Sequence, residues 1–253
     1  MSLLDSVGLT RSFGSHVAVD GVDFTLASGE VRAVIGPNGA GKTVFLHLLS
    51  GLLAPTAGRI ALDGADITRL GIVDRVARGL TRSFQVTNLF PNLSVADNVR
   101  LAAQPRSGTT ALWHRARVRR DLDMRVAELL DQVGLAPAAP RLPSELSHGD
   151  QRHLEIALAL ASRPRVLLLD EPTAGMSLGE TGRTVALIRT LNRETGVTIV
   201  IVEHDMRVIR ELATRVTVLD HGRVLAEGTT GEVSTDARVQ TAYLGRRRHV
   251  AGL

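Results

Sequence analysis

"GPNGAGKTVF", residues 36–45, holds the one lysine of the chain; the other 29 of its 30 Lys and Arg side chains are arginine. The stretch satisfies G-x-x-x-x-G-K-[ST] in full, with Gly36, Gly41, Lys42 and Thr43 at the fixed positions and Pro37, Asn38, Gly39 and Ala40 between them. Its flanks agree. The apolar run "VRAVI" before it reads as a strand, and "KTVFLHLLSGL" after it has helical spacing closed by Gly51. Glycines let successive backbone N–H groups turn toward phosphate oxygens, and the helix that follows directs its positive end at them. Lys42 can reach β- and γ-phosphates as a compact point charge, and Thr43 can offer its hydroxyl to Mg2+. Arginine's wide planar fork suits flat bidentate partners and not a narrow polyphosphate loop. The arginine bias is compositional, and this position did not tolerate it.

The chain's 253 residues suffice for one large α/β domain or a core with a sub-domain, and 44% hydrophobic with 22% charged is ordinary for a globular protein and argues against disorder. With no cysteine there is no disulfide framework and no thiolate metal site, in keeping with a reducing compartment. No apolar run reaches the ~18 residues of a membrane span. "MSLLDSVGLT" lacks the basic start of a secretory signal. The net charge of +4 is modest. Its concentrations in "HRARVRR" (114–120) and "RRRH" (246–249) could touch phosphates or lipid headgroups but read first as solvated faces, and no nucleic-acid partner is expected.

Organisation follows from the pattern of periods. The first 30 residues read as short strands and turns, and "GRIALDGADI" as a further strand and turn. From about Asn88 to Ser147 the character is helical, with "SVADNVRLAA" and "RVAELLDQVGL" joined by the arginine-rich stretch that contains Trp113. "RVLLLD" and "GVTIVIVEHD" are then continuous apolar runs of the kind buried in a parallel sheet, separated by the helical "ETGRTVALIRTLNRE". An α/β core is thus interrupted by a helical insertion and resumes.

A phosphate loop needs a partner for the metal. "RVLLLDEP" ends an apolar strand with Asp170 and Glu171, at the strand's carboxyl end where α/β ligands bind. Asp170 suits Mg2+, directly or through water. Glu171 beside it suits a general base that polarises the attacking water.

Five further stretches fall in the order and rough spacing of one family: "RSFG" upstream of the loop, "SFQ" (83–85), "LSHGDQRHLEIA" (146–157), "TAGM" (173–176) and "VEHD" (202–205). Together they resemble the ATP-binding-cassette (ABC) ATPases over essentially the whole chain. The resemblance implies a P-loop NTPase core with an N-terminal antiparallel β subdomain and an inserted helical subdomain. The expected parts are a first core part over 1–87, a helical subdomain over 88–147, a second core part over 148–230 and a tail over 231–253.

By the same resemblance, Phe13 stacks on adenine, and residues 36 to 44, through Val44, hold the ATP. Gln85 senses Mg2+ and water, and His204 is the switch histidine on the γ-phosphate. Thr43, Gln85 and Asp170 form the metal set, and Glu171, His204 and Gln85 the catalytic set. Ser147, His148, Gly149 and Asp150 form the signature that acts on ATP held by the opposite subunit. His148 and Asp150 depart from the common LSGGQ, Val44 stands where a second threonine is common, and "TAGM" lacks the usual D-loop aspartate. That last departure leaves open how two active sites communicate.

"TNLFPNLSVADNV", the arginine-rich insertion, "VEHDM" and "RVQTAYLG" are similar to ATPase subunits of branched-chain amino-acid importers, with urea importers the close alternative and an exporter or a soluble ABC protein further off. Such subunits imply ATP and Mg2+ as cofactors and a second ATPase subunit and membrane permeases as partners. A substrate-binding protein is the indirect partner, and the place is the cytoplasmic side of the cell membrane.

Overall fold

A computed structural model describes residues 2–83, 89–104 and 112–244. Strands β1 (Ser2–Phe13) and β2 (His16–Ala27) form an antiparallel hairpin, and β3 (Val31–Ile35) opens a second sheet before running into the phosphate loop and helix α1 (Lys42–Ser50). β4 (Ala57–Leu62) and β5 (Ala65–Asp66) complete the first sheet in the order β2-β1-β4-β5. After α2 (Ile72–Ala77), β6 (Leu80–Arg82) returns to the second sheet, the helical stretch follows as α3 (Val95–Ala103) and α4 (Leu112–Gln132), and α5 (His148–Leu160) leads back to the sheet. The core then resumes with β7 (Val166–Asp170), α6 (Leu178–Thr195), β8 (Thr198–Val202) and α7 (Met206–Leu212). It ends with β9 (Arg215–Asp220), β10 (Arg223–Gly228), α8 (Thr230–Thr235) and α9 (Ala237–Leu244). The second sheet has the order β10-β9-β3-β8-β7-β6, parallel except for β10.

The sheet separates two apolar cores because alternate side chains of one strand face opposite ways. Ala33, Ile35, Leu167, Leu169, Ile199 and Ile201 pack with the insertion and with α6 and α7. Val34, Leu168, Val200 and Val202 pack on the other face with α1 and the first sheet. β3, β7 and β8 are buried at every residue, which is why they read as unbroken apolar runs.

Two local readings change. β1 and β2 run 12 residues each, not as short strands, because register shifts such as that between Ser6 and Leu9 break the period-2 pattern. "HRARVRR" lies inside α4 and does not join two helices; it contains no Gly or Pro to stop a helix. The insertion's entry is tied by Asn98, buried on α3, whose amide donates to the carbonyls of Phe90, Leu93 and Ser94 and accepts from the Phe90 N–H. Asn98 thereby holds the 90–94 loop, on which Phe90 is 52% exposed.

Helix α1 is stabilised at its far end by a buried cation. Arg75 is 1% exposed, and its guanidinium donates to the carbonyls of Leu48 (2.6 Å), Leu49 (2.7 Å), Leu70 (2.9 Å) and Thr68 (3.1 Å). Two of these are last-turn carbonyls of α1, where a positive charge also meets the negative end of the helix dipole. Burial lowers the Arg75 pKa to about 10, with Asp66 opposing. Arg75→Met keeps the stem and strands the carbonyls. It is expected to cost on the order of 2–4 kcal/mol, read as a lowered midpoint in chemical denaturation; a parent-like midpoint would show that the cap is dispensable.

Candidate active site

The phosphate loop is shaped by two backbones pressed against it. Gly36 has φ 152°, and a Cβ there would lie 2.1 Å from the Leu219 carbonyl oxygen at the end of β9. Gly41 caps α1 with φ 96°, and its Cβ would lie 2.4 Å from the Ala18 carbonyl oxygen on β2. Both positions need glycine for space as well as conformation. Gly222, in the β9–β10 turn, donates to the Ala40 carbonyl (3.1 Å) and accepts from the Asp20 N–H (2.8 Å), closing the loop against both sheets. Lys42 folds over this loop, its ammonium donating to the carbonyls of Gly36 (2.7 Å) and Pro37 (3.1 Å). Asn38 and Gly39 are exposed at the loop's crest, and Thr43 and Val44 are half-buried in the first turn of α1.

Asp170 ends β7, next to β8 and one strand removed from β3. Its Oδ2 accepts from the Arg82 guanidinium at 2.8 Å, while its buried Oδ1 has no hydrogen-bond partner among the described residues. A buried carboxylate oxygen without a donor fits a cation, so the residues present fit Mg2+. Arg82 ends β6, on the strand that leads to Gln85; Gln85 itself, with 84–88, lies outside the described residues. Nearby His47 on α1 has its pKa lowered, first by burial and then by Arg82, with Asp170 opposing.

Glu171 stands in left-handed backbone, φ 46°. Its N–H donates to the Val202 carbonyl at 2.9 Å, which pins the turn after β7 to the end of β8. A non-glycine residue at positive φ is held there by its surroundings at a cost of about 1 kcal/mol or more, and such residues cluster at functional sites.

Sequence reasoning missed Glu203. It is 1% exposed and joins two loops: Oε1 accepts from the Thr173 N–H (3.2 Å) and hydroxyl, and Oε2 from the N–H groups of His204 (2.9 Å) and Asp205 (3.4 Å). This fixes the His204 backbone while its imidazole stays exposed. The available signal was a carboxylate ending an apolar strand, the same sign that marked Asp170. Arg82 was missed as well, since an arginine in this arginine-rich chain carries no mark of its own.

Phe13 ends β1, 43% exposed, with the Arg11 guanidinium 4.6 Å from its ring centroid. Ser147 caps α5, its hydroxyl accepting from the Asp150 N–H at 3.1 Å. His148 and Gly149 turn to the loop after β7: His148 Nε2 lies 3.2 Å from the Ala174 carbonyl oxygen, and the Gly149 N–H donates to Glu180 at 3.3 Å. Among the described residues no helix is long and apolar enough to cross a membrane.

Comparison with known proteins agrees with this geometry. The ABC transporter family model matches residues 19–174, and a model for branched-chain amino acid ATP-binding cassette transporters matches 223–249. The chain is 36% identical over 249 residues to the high-affinity branched-chain amino acid transport ATP-binding protein BraF of Pseudomonas aeruginosa, covering 96% of this chain and 98% of that one. It is 42% identical over 220 residues to the methionine import ATP-binding protein MetN of Bradyrhizobium diazoefficiens, covering 86% of this chain and 61% of that one. Among solved structures, the ADP conformation of an ATP-binding cassette of an ABC transporter superposes with TM-score 0.86 at 25% identity over 97% of this chain and 99% of that one. A dimeric post-hydrolysis cassette bound to ADP and Pi superposes with TM-score 0.76 at 27% identity, covering 90% of this chain and 99% of that one. A complete phosphate loop, a buried aspartate with an open oxygen and the matched family model lead to one assignment: the chain belongs to the ABC transporter ATP-binding family, as an ATP-binding and ATP-hydrolysing cassette.

Proposed function

We propose that this chain is the ATPase subunit of an importer for branched-chain amino acids, peripheral on the cytoplasmic face of the membrane. It would work with a second ATPase subunit, two permeases and a substrate-binding protein. The observation that carries the solute is the match of the tail, residues 223–249, to the branched-chain model, together with correspondence over nearly the full length of BraF. A methionine importer is the second reading, supported by the higher identity to MetN. Deleting the gene in its native host and measuring leucine and methionine uptake separates the two. Loss of leucine uptake alone supports the first, and loss of methionine uptake alone overturns it.

In this reading ATP lies between two subunits. The loop from Gly36 to Val44 encloses its phosphates, Phe13 stacks on the base with the ring face that Arg11 leaves open, and Lys42 exchanges two carbonyls for phosphate oxygens. Thr43, Asp170 and Gln85 would hold Mg2+, which when bound neutralises charge on the phosphates. Glu171 takes the proton of the attacking water, in a turn already fixed by its strained backbone. His204 donates toward the γ-phosphate from a loop anchored by Glu203. Ser147 and Gly149 of the opposite subunit complete the donor set. Positioning and charge neutralisation supply most of the acceleration in phosphoryl transfer. Neither half alone has all the parts, so an isolated subunit binds ATP and turns it over slowly.

Lys42→Ala is expected to weaken ATP binding by about 2–3 kcal/mol, roughly 30- to 150-fold, while the fold persists. Calorimetric titration reads this directly, and unchanged affinity overturns the loop assignment. Glu171→Gln is expected to bind ATP, lose roughly 10²- to 10⁴-fold in turnover, and collect as an ATP-dependent dimer on size exclusion. Parent-like hydrolysis removes Glu171 from the role of base. Phe90, held outward by the Asn98 clamp, is expected to meet a permease helix as an apolar anchor. Phe90→Ala should then impair permease co-purification with ATP affinity and melting temperature intact; a lowered melting temperature with normal assembly would make it a packing residue.

A further inference from the structure

Two departures from the common family pattern, His148 in the signature and the missing aspartate in "TAGM", lie against each other in space. His148 Nε2 is 3.2 Å from the carbonyl oxygen of Ala174, the second residue of "TAGM". Gly175 adjoins the ring: a Cβ there would sit in ordinary contact, 3.5 Å from His148 Nε2, and its φ of 75° favours glycine. Beside this contact a single carboxylate serves two helices. Glu180 accepts at Oε2 from the Ser177 N–H (3.0 Å) and hydroxyl (2.7 Å), closing the capping box of α6. At Oε1 it accepts from the Gly149 N–H of α5. The fit is tight: a Cβ on Gly149 would lie 3.1–3.2 Å from three atoms of the Glu180 side chain. The Glu180 pKa is held at about 2, first by the hydroxyl and N–H of Ser177, then by the Gly149 N–H.

We propose that His148 and Glu180 are positioning residues that join the signature loop to the TAGM loop of the same subunit, so that the two advance on the partner's ATP as one body. The inference rests on the reading of Ser147 and Gly149 as phosphate donors given above. Its content is mechanical. The TAGM loop follows Glu171 after Pro172, and its Thr173 is bonded to Glu203 and through it to His204. The chain of contacts therefore runs from the subunit's own hydrolytic residues, through Thr173 and Ala174, to the donors it presents to the opposite site. A link within the subunit takes the place of the usual D-loop aspartate.

The test is steady-state ATP turnover, at saturating ATP, of the chain assembled with its partner ATPase subunit and permeases, alongside ATP affinity of the chain by calorimetry, for His148→Gly, Glu180→Gln, the double variant and Ser147→Ala. Each of the first two is expected to lower turnover roughly 10-fold, within what small misplacements cost, while ATP affinity stays within about twofold. The double variant is expected to be no slower than the slower single, because two residues holding one joint are not additive. Turnover within about twofold of the parent in both singles, or a double effect equal to the product of the singles, overturns the proposal. If Glu180→Gln fails to fold, Glu180→Asp retains the charge but is too short to bridge Ser177 and Gly149. It should show the same loss, and parent-like turnover overturns the proposal. Ser147→Ala separates the two levels: parent-like turnover there overturns the donor reading itself. A slow Ser147→Ala with parent-like His148→Gly and Glu180→Gln removes only the joint.

Discussion

Three stretches of backbone meet at the phosphate loop with no room for a side chain between them. The carbonyls of Ala18 and Leu219 press on Gly41 and Gly36, and Gly222 bridges the loop to β2. This contact makes one unit of two sheets that differ in everything else. The antiparallel sheet gains a fixed place relative to β3, and α1 gains a defined origin. An anion-binding loop works by pre-set dipoles and not by rearrangement, so its accuracy depends on what is packed behind it. Arg75 completes the arrangement from the other end, because a helix whose last carbonyls are satisfied keeps its first turn in place.

The buried charges follow one logic. Asp170 is balanced on one oxygen by Arg82, while its other oxygen has no partner among the described residues, which suits a metal ligand. Glu203 has no such opening, because N–H groups and a hydroxyl from two loops fill both of its oxygens. Buried carboxylates are costly unless paired or hydrogen-bonded, so the first reads as a ligand and the second as a fastener. The same reasoning separates Glu171, placed by strained backbone and half-buried, from its fully buried neighbour.

Much of this was legible in the sequence. The phosphate loop identified itself because glycine spacing and one lysine among arginines have few other uses. β3, β7 and β8 were readable as buried strands because an interior strand is apolar on both faces. The acidic pair followed from its place at the end of such a strand. The lengths of β1 and β2 were not readable, since bulges erase the alternation that marks a strand. Nor was β6, a three-residue edge strand defined by its pairing with β7.

What the chain alone determined is a set of chemical groups and their order: which side chains suit phosphate, an attacking water or a metal, and in what sequence they come. Those properties belong to side chains and local spacing. The tertiary structure decided the partnerships. Arg82 with Asp170, Glu203 with Thr173, and Glu180 with Gly149 join residues between 30 and 88 positions apart, and none of these pairings is marked in the linear pattern. An arginine among 29 or a glutamate in a capping box looks like any other until folding brings it within hydrogen-bonding distance of one particular group, because a hydrogen bond depends on position in space and a motif only on position in the chain.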